Sequence, residues 1–153
     1  MSFAQPSLKG RALRLLSGRE YSRAELMQKL QRFEEEVGTL AQALDELQAK
    51  GFINEQRVIE SVLYRRAAKL GTARIKQELQ AKGLAPEAVS AALAGLQTSE
   101  PGRARAVWQK KFGAAPVDAQ AAAKQMRFLA ARGFGADAIR RAVGARHDDE
   151  TGY

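Results

Sequence analysis

The chain has 153 residues, of which 45% are hydrophobic and 27% charged, so it can form a packed core and is too apolar for general disorder. It has no cysteine, which excludes disulfides and thiolate chemistry. No apolar run is long enough for a membrane span or a secretory signal, so we expect a cytoplasmic protein. The net charge of +8 favours a polyanion or an acidic protein groove as partner.

The positive charge is distributed unevenly along the chain. Residues 1–53 are nearly balanced, whereas residues 101–146 carry ten basic side chains against only Asp118 and Asp137. An acidic run, Asp148–Glu150, follows. Any one basic cluster can be a merely solvated surface, but the gradient predicts that the last third of the chain supplies much of a binding surface.

Apolar residues recur at helical spacing from end to end, and nothing alternates with period two for long enough to be a strand. We therefore predict an all-α chain of nine helices. They cover Leu8–Ser17, Ser22 to Phe33, Val37–Lys50, Asn54 to Lys69, Thr72 to Gly83, Pro86 to Leu96, Ala104 to Phe112, Asp118 to Gly133 and Ala136–Val143.

Residues at the ends of these helices match known capping preferences. Ser22 with Glu25 has the spacing of a capping box. Asn54, Thr72 and Asp118 are further N-cap candidates, and Pro86 suits a first helical turn. Glycines 51, 83 and 133 are expected to end helices, and Thr98–Gly102 is expected to be a loop. Glu78 and Lys82 have the spacing of an ion pair within one helix.

Similar positions recur every 49 to 50 residues, as in the columns Leu30, Leu79, Leu129 and Leu40, Val89, Ile139. The segments LQAKGL, starting at Leu79, and LAARGF, starting at Leu129, are near copies, but the first unit has no such glycine. One column fails, because Leu26 and Ile75 are followed by Gln125. We predict a tandem array of three three-helix repeats, elongated and curved, with repeats over 8–53, 54–98 and 100–144 and a polar tail over 145–153.

The residues give little support for catalysis. The only histidine, His147, lies in the predicted tail, so no Ser/His pair or histidine metal site can be assembled. No phosphate-binding GxxxxGK[ST] or GxGxxG motif occurs. We expect no cofactor, no metal and no enzymatic activity.

Basic residues are the candidates for a binding surface, which would be salt-dependent and largely insensitive to nucleotide sequence. They are Arg57, Arg65, Lys69, Arg74, Lys76, Arg103, Arg105, Lys110, Lys111, Lys124, Arg127, Arg140 and Arg141. Reversing the charges of Arg103, Arg105, Lys110 and Lys111 together should weaken binding. Tyr64, Trp108 and Phe128 can stack on bases, although Trp108 is better explained as core. Arg66, inside the apolar arc of its helix, is an arginine with a packed stem, half of an interhelical ion pair, or a contact to a partner.

Four segments of the chain resemble the RecX family of bacterial proteins that modulate the RecA recombinase. They are RALRLLSGREYSRAELMQKL (Arg11–Leu30), GFINEQRVIESVLYRRAAKLGTARIKQELQAKGL (Gly51–Leu84), VWQKKFG (Val107–Gly113) and RFLAARGF (Arg127–Phe134). The resemblance covers about residues 8–144. The chain departs from the family pattern at Val58–Ile59 and in the missing basic-Gly stop of the first repeat.

The resemblance implies a curved array of three three-helix repeats that lies in the groove of the RecA–DNA filament as a monomer. It also implies restraint of filament growth, strand exchange, ATP hydrolysis and stimulated LexA cleavage, and binding to single- and double-stranded DNA. Two alternatives stay open. One is a winged-helix regulator, which requires strands after Phe52–Ile53. The other is a non-specific DNA-binding protein that acts independently of RecA.

Overall fold

The computed structural model describes residues 5–149, and within them the chain is all-helical, as expected. The eight α-helices are α1 Leu8–Leu16, α2 Arg23–Leu30, α3 Thr39–Ala49, α4 Glu55–Arg66, α5 Thr72–Ala81, α6 Pro86–Lys111, α7 Ala119–Ala131 and α8 Ala136–Asp149, with a 3₁₀ turn, Gln31–Phe33, after α2. No strand occurs in this range, so the winged-helix hypothesis is wrong. None of the described helices is long and apolar enough to cross a membrane.

The core is divided into three hydrophobic clusters, one for each group of three helical segments. The first joins α1, α2 and α3 around Leu26 and Leu44. The second joins α4, α5 and the first half of α6 around Ile59 and Leu79. The third joins the second half of α6 with α7 and α8 around Leu129. Helix packing is concentrated within these groups, as the tandem-repeat prediction required.

One long helix, α6, serves both the second and the third repeat, so the predicted loop Thr98–Gly102 is wrong. Pro101 disfavours a helix interior because it lacks an N–H, but side chains on either side of it anchor the segment. Buried Glu100 accepts the Thr72 N–H at 2.8 Å. Arg103 donates to the Leu70 carbonyl at 2.6 Å. Tertiary hydrogen bonds therefore outweigh the local preference for a loop.

The turn between α4 and α5 also differs from the expectation. The helix α4 ends at Arg66, so Lys69 lies in the following turn and not on the helix. The predicted cap Thr72 is instead the first residue of α5, and the N-cap position is Gly71, which has no side chain to offer. Glu100 takes over the capping role from α6, because its carboxylate accepts the N–H of Thr72.

Two ion pairs join helices instead of forming within one helix. Glu78 pairs with Arg66 at 3.4 Å, which realises the interhelical alternative for Arg66. Lys82 pairs with Glu25 of the first repeat at 3.1 Å, so the predicted Glu78–Lys82 pair is wrong. Both pairs therefore connect separate elements of the fold.

Several local predictions are confirmed. Ser22 and Glu25 form a complete capping box. Asn54 and Asp118 accept N–H groups of the first turns of α4 and α7, and Pro86 is in the first turn of α6. Glycines 51, 83 and 133 all have positive φ, as helix-ending glycines require.

The second helices of the three repeats are stacked end to end in the order α7, α5, α2, an arrangement we call the helix stack. The Arg132 carbonyl after α7 accepts the Gly71 N–H at 2.8 Å. The Lys82 carbonyl after α5 accepts the Ser22 hydroxyl at 2.6 Å. At each junction, a carbonyl that follows one helix accepts a hydrogen bond from the residue that caps the start of the next helix. The helix dipoles are thereby aligned head to tail.

This stack explains the repeated basic-Gly motif. A Cβ on Gly133 would overlap Arg74, and one on Gly83 would lie 2.7 Å from the Ala24 Cβ. The glycines therefore allow the next helix to approach. In the first repeat, no described helix stacks on the C-terminal end of α2, and there the motif is absent.

The column that failed in the sequence is structurally intact. Gln125 is 7% exposed, like its buried counterparts Leu26 and Ile75, and accepts the Trp108 indole N–H at 2.8 Å. Trp108 is 3% exposed, so it is a core residue and cannot stack on bases. Met126, on the same helix as Gln125, is 39% exposed.

The last helix runs past the predicted start of the tail. We expected helix Ala136–Val143 and a polar tail over 145–153, but α8 continues to Asp149. Residues 150–153 of that predicted tail lie outside the described residues.

Candidate nucleic-acid and protein interface

A cleft of about 680 Å³ opens between the second and third repeats, and we call it the inter-repeat cleft. It is lined by Ala68, Lys69, Ala106, Val107, Lys110, Lys111, Phe128 and Arg132. Half of these residues are cationic and half are apolar, and none of the described carboxylates lines the cleft. Such a lining combines attraction for a polyanion with apolar surface.

Three elements hold the walls of the cleft in place. The helix α6 presents Val107, Lys110 and Lys111 on one side, because residues three and four apart share a helix face. The turn after α4 carries Lys69 and is tied to α6 through the hydrogen bond of Arg103 to Leu70. Arg132 is fixed at the end of α7, where its carbonyl takes part in the helix stack.

Phe128 forms the aromatic part of the cleft. Its ring meets the edge of Phe112 with centroids 5.4 Å apart. The Lys111 ammonium lies 5.3 Å from the Phe128 centroid, and the Arg132 guanidinium carbon lies 4.8 Å from it. These contacts orient both cations over the ring without neutralising their charge. Phe128 thus stays a candidate for base stacking as well as a support for the cations.

The structure brings only three of the predicted site residues into the cleft, namely Lys69, Lys110 and Lys111. Others are exposed elsewhere: Arg65, Lys76, Arg105, Lys124, Arg127, Arg140 and Arg141. Arg140 and Arg141 flank Asp137 at 3.8 and 3.3 Å, which reduces their local charge. The predicted set is therefore spread over several faces.

Arg57 and Arg74 are used inside the fold. Arg57 binds the Glu20 carboxylate at 2.9 Å and the Gly51 carbonyl at 2.7 Å, which joins the first repeat to the second. Arg74 donates to the Ala131 carbonyl at 2.7 Å, which joins the second repeat to the third. Both are junction residues of the array.

Arg103 is the clearest departure from the predicted binding surface. Its guanidinium donates to the carbonyls of Ala67, Leu70 and Leu96 at 2.9, 2.6 and 3.0 Å. It also donates to the Thr72 hydroxyl at 3.1 Å. Burial lowers the pKa of Arg103, and the nearby Glu100 charge opposes that shift. Reversing its charge would disrupt the fold, so Arg103 does not belong in a binding test.

Sequence reasoning missed Arg132 as a site residue. Arg132 is the basic residue of the LAARGF motif, which the sequence analysis used only as evidence for a repeat and for a glycine that ends a helix. The usable signal was Phe128 four residues earlier, since this spacing places an arginine beside an aromatic ring on one helix face.

The lining of the inter-repeat cleft supplies groups suited to binding. Among the described residues, no set of His, Asp and Glu side chains is grouped closely enough to hold a metal ion. The cleft supplies ammonium and guanidinium donors on an apolar floor, which suits phosphates or carboxylates of an extended partner.

Together, the three-repeat array and its basic cleft define an all-α tandem-repeat protein with features of a binding protein. Residues 9–47, 54–93 and 100–143 match the family models for the first, second and third three-helix domains of RecX. The chain therefore belongs to the RecX family of regulatory proteins.

Relatives and solved structures agree with this assignment. The regulatory protein RecX of Leptothrix cholodnii is 48% identical over 139 residues, which cover 91% of this chain and 88% of that protein. The regulatory protein RecX of Herminiimonas arsenicoxydans is 46% identical over 98% of this chain and 99% of its own length. The crystal structure of RecX from Lactobacillus salivarius shares the fold, with a TM-score of 0.74 at 21% identity over 90% of this chain and 93% of that one.

Proposed function

We propose that this protein binds in the groove of the RecA–DNA filament and restrains RecA, with the inter-repeat cleft as its principal contact. The proposed effects are slower filament growth, strand exchange and ATP hydrolysis and weaker coprotease activity. The role is regulatory and needs no chemistry by the protein itself.

The observation that carries the proposal is the cleft of cations without carboxylates in a chain of the RecX family. A filament groove is extended and lined by DNA phosphates. A rigid array with a basic cleft between its repeats can follow such a surface over more than one subunit. The junction hydrogen bonds at Gly71 and Ser22 support this rigidity.

A titration with RecA, single-stranded DNA and ATP tests the proposal. At low salt, the protein should slow ATP hydrolysis and filament assembly at stoichiometric amounts or below. Unchanged hydrolysis and assembly over that range would exclude the proposal that the protein restrains RecA. The full chain is used, and the same amount of heat-unfolded protein controls for non-specific effects.

A second candidate function is non-specific DNA binding that does not involve RecA. The net charge of +8 favours it independently of the family. It predicts that any inhibition disappears when DNA is in large excess, because the protein would then be titrated away. Inhibition that persists in excess DNA favours contact with RecA.

A further inference from the structure

A second cationic cleft, of about 310 Å³, lies in the first repeat at the uncovered end of the helix stack. We call it the first-repeat cleft. It is lined by Pro6, Gly10, Arg11, Arg14, Leu15, Lys29, Leu30, Arg32 and Phe33. The near balance of charge in residues 1–53 conceals this cleft, because the carboxylates of that segment lie elsewhere.

The acidic residues of the first repeat are largely occupied. Glu25 and Glu20 bind cations at the junction with the second repeat, at 3.1 Å to Lys82 and 2.9 Å to Arg57. Glu34 accepts the Leu40 N–H at 2.9 Å. Four cations are thereby left to line one cleft, and its described lining residues include no carboxylate.

The aromatic ring of Phe33 organises two of these cations. The Arg11 guanidinium carbon lies 3.7 Å from the ring centroid, and that of Arg32 lies 4.6 Å from it. A guanidinium held against an aromatic ring presents its N–H donors to phosphates and its plane to a stacked base. Arg14 and Lys29 are exposed and line this cleft but not the neighbouring depression.

The composition of the cleft favours one class of occupant. The apolar floor, to which half-buried Leu15 and Phe33 contribute, can receive an unpaired base, whereas the bases of a duplex are stacked and paired out of reach. A neighbouring depression of about 540 Å³ shares Arg11, Arg32 and Phe33 but includes Glu35 and Glu36. These carboxylates repel a polyanion on that flank, so a strand would enter past Arg14 and Lys29.

We infer that the first-repeat cleft is a second binding site for single-stranded nucleic acid, separate from the inter-repeat cleft between the second and third repeats. Its cations would bind phosphates, and its floor would receive a base. The inference rests on the nucleic-acid-binding part of the proposed function and does not depend on RecA.

The test measures binding of the full-length protein to a labelled oligothymidylate by anisotropy over a salt series, without RecA. The double variant Arg14→Gln/Lys29→Gln removes two exposed cations of the cleft. Lys9→Gln/Lys50→Gln is the control, since it removes the same formal charge from the same repeat outside the cleft. It also removes the surface ion pair of Lys9 with Glu46 at 3.3 Å, which contributes little to stability. Log affinity falls with log salt, and two lost phosphate contacts should make this fall less steep by about 1.4, or about 0.7 for each contact. The control should keep the wild-type slope.

Equal slopes for the cleft variant and its control would overturn the inference. It would also be overturned if the cleft variant lost as much affinity for a duplex of the same length. Displacement by polyglutamate as effectively as by unlabelled oligothymidylate would indicate an acidic protein partner instead. Should the double variant melt at a lower temperature than wild type, the single variants replace it, each with an expected slope change of about 0.7. Loss of RecA inhibition with oligothymidylate binding intact would concern the proposed function alone.

Discussion

At the scale of single residues, charged side chains divide into those that build the fold and those left for a partner. Arg103 stabilises the end of α4 by donating to the Ala67 and Leu70 carbonyls. Carbonyls at a helix end receive no hydrogen bond from the helix backbone, so they need such a donor. Glu25 is bound by the Ser22 N–H, Arg19 and Lys82. Nothing in the local sequence distinguishes Arg103 and Glu25 from exposed arginines and glutamates. Only their tertiary contacts show that they belong to the fold.

Replacing Arg103 by methionine should destabilise the protein by about 2–4 kcal/mol, because several backbone carbonyls lose their donor while the stem volume is kept. Urea unfolding followed by circular dichroism measures this loss. Arg127→Met is the matched control, since Arg127 is exposed on α7, and it should change stability by less than about 0.5 kcal/mol. Equal midpoints for the two variants would show that the Arg103 contacts contribute nothing.

Glu25 predicts a pH dependence of stability. Partial burial raises the pKa of Glu25, but the Ser22 N–H and the charges of Arg19 and Lys82 outweigh it, so the pKa is lower than usual. The stabilising effect is therefore present above the ordinary glutamate pKa and is lost as pH falls through the lowered value. Glu25→Gln should lower the melting temperature at neutral pH, and the difference from wild type should shrink as the pH falls below the ordinary glutamate pKa. A difference that persists or grows in acid would refute this assignment.

At the scale of elements, the helix stack decides which glycines are essential. Gly133 and Gly51 both end helices with positive φ, of 91° and 83°. They differ in their surroundings, because a Cβ on Gly133 would overlap Arg74 while one on Gly51 meets nothing within 4 Å. Only Gly133 lies at a junction of the helix stack, where the next helix approaches its Cα.

Gly133→Ala should therefore destabilise the protein more than Gly51→Ala. The Gly51 variant isolates the cost of a left-handed alanine, roughly 1–2 kcal/mol. The Gly133 variant adds a steric conflict with the next helix of the stack. Thermal unfolding of both variants measures the difference, and equal melting temperatures would show that the junction is loose enough to absorb a methyl group.

The element that sequence reasoning described least well was α6. Pro101 between Glu100 and Gly102 has strong local features of a loop. The helix persists because Glu100 and Arg103 are anchored on the turn before α5, which lies about thirty residues earlier in the chain. Local propensity could not reveal a partner that distant.

At the scale of the whole molecule, the repeat period and the helical character could be predicted, because apolar spacing such as Leu30, Leu79 and Leu129 encodes the core directly. The glycines that end helices could also be predicted. That two of them allow close approach of the next helix in the stack could not. The inter-repeat cleft was only partly predictable. Lys69, Lys110 and Lys111 were chosen by charge, and charge alone could not separate them from Arg103 or add Arg132.

The two clefts give the array a basic site in the first repeat and another between the second and third repeats. An extended polymer could contact both sites at once, which would increase its avidity without requiring a tight individual contact. This arrangement agrees with an array that binds along a filament better than with one that holds a compact ligand.

The most direct measurement of the central claim is RecA ATP hydrolysis on single-stranded DNA, titrated with wild type, Lys110→Gln/Lys111→Gln and Lys9→Gln/Lys50→Gln. The first variant removes two cations of the inter-repeat cleft, and the second removes equal charge outside it. We predict that the cleft variant needs about tenfold more protein for half-maximal inhibition, corresponding to about 1.4 kcal/mol, while the control matches wild type. Inhibition by the cleft variant at wild-type concentrations would contradict the account, because the inter-repeat cleft would then not be the contact with the filament.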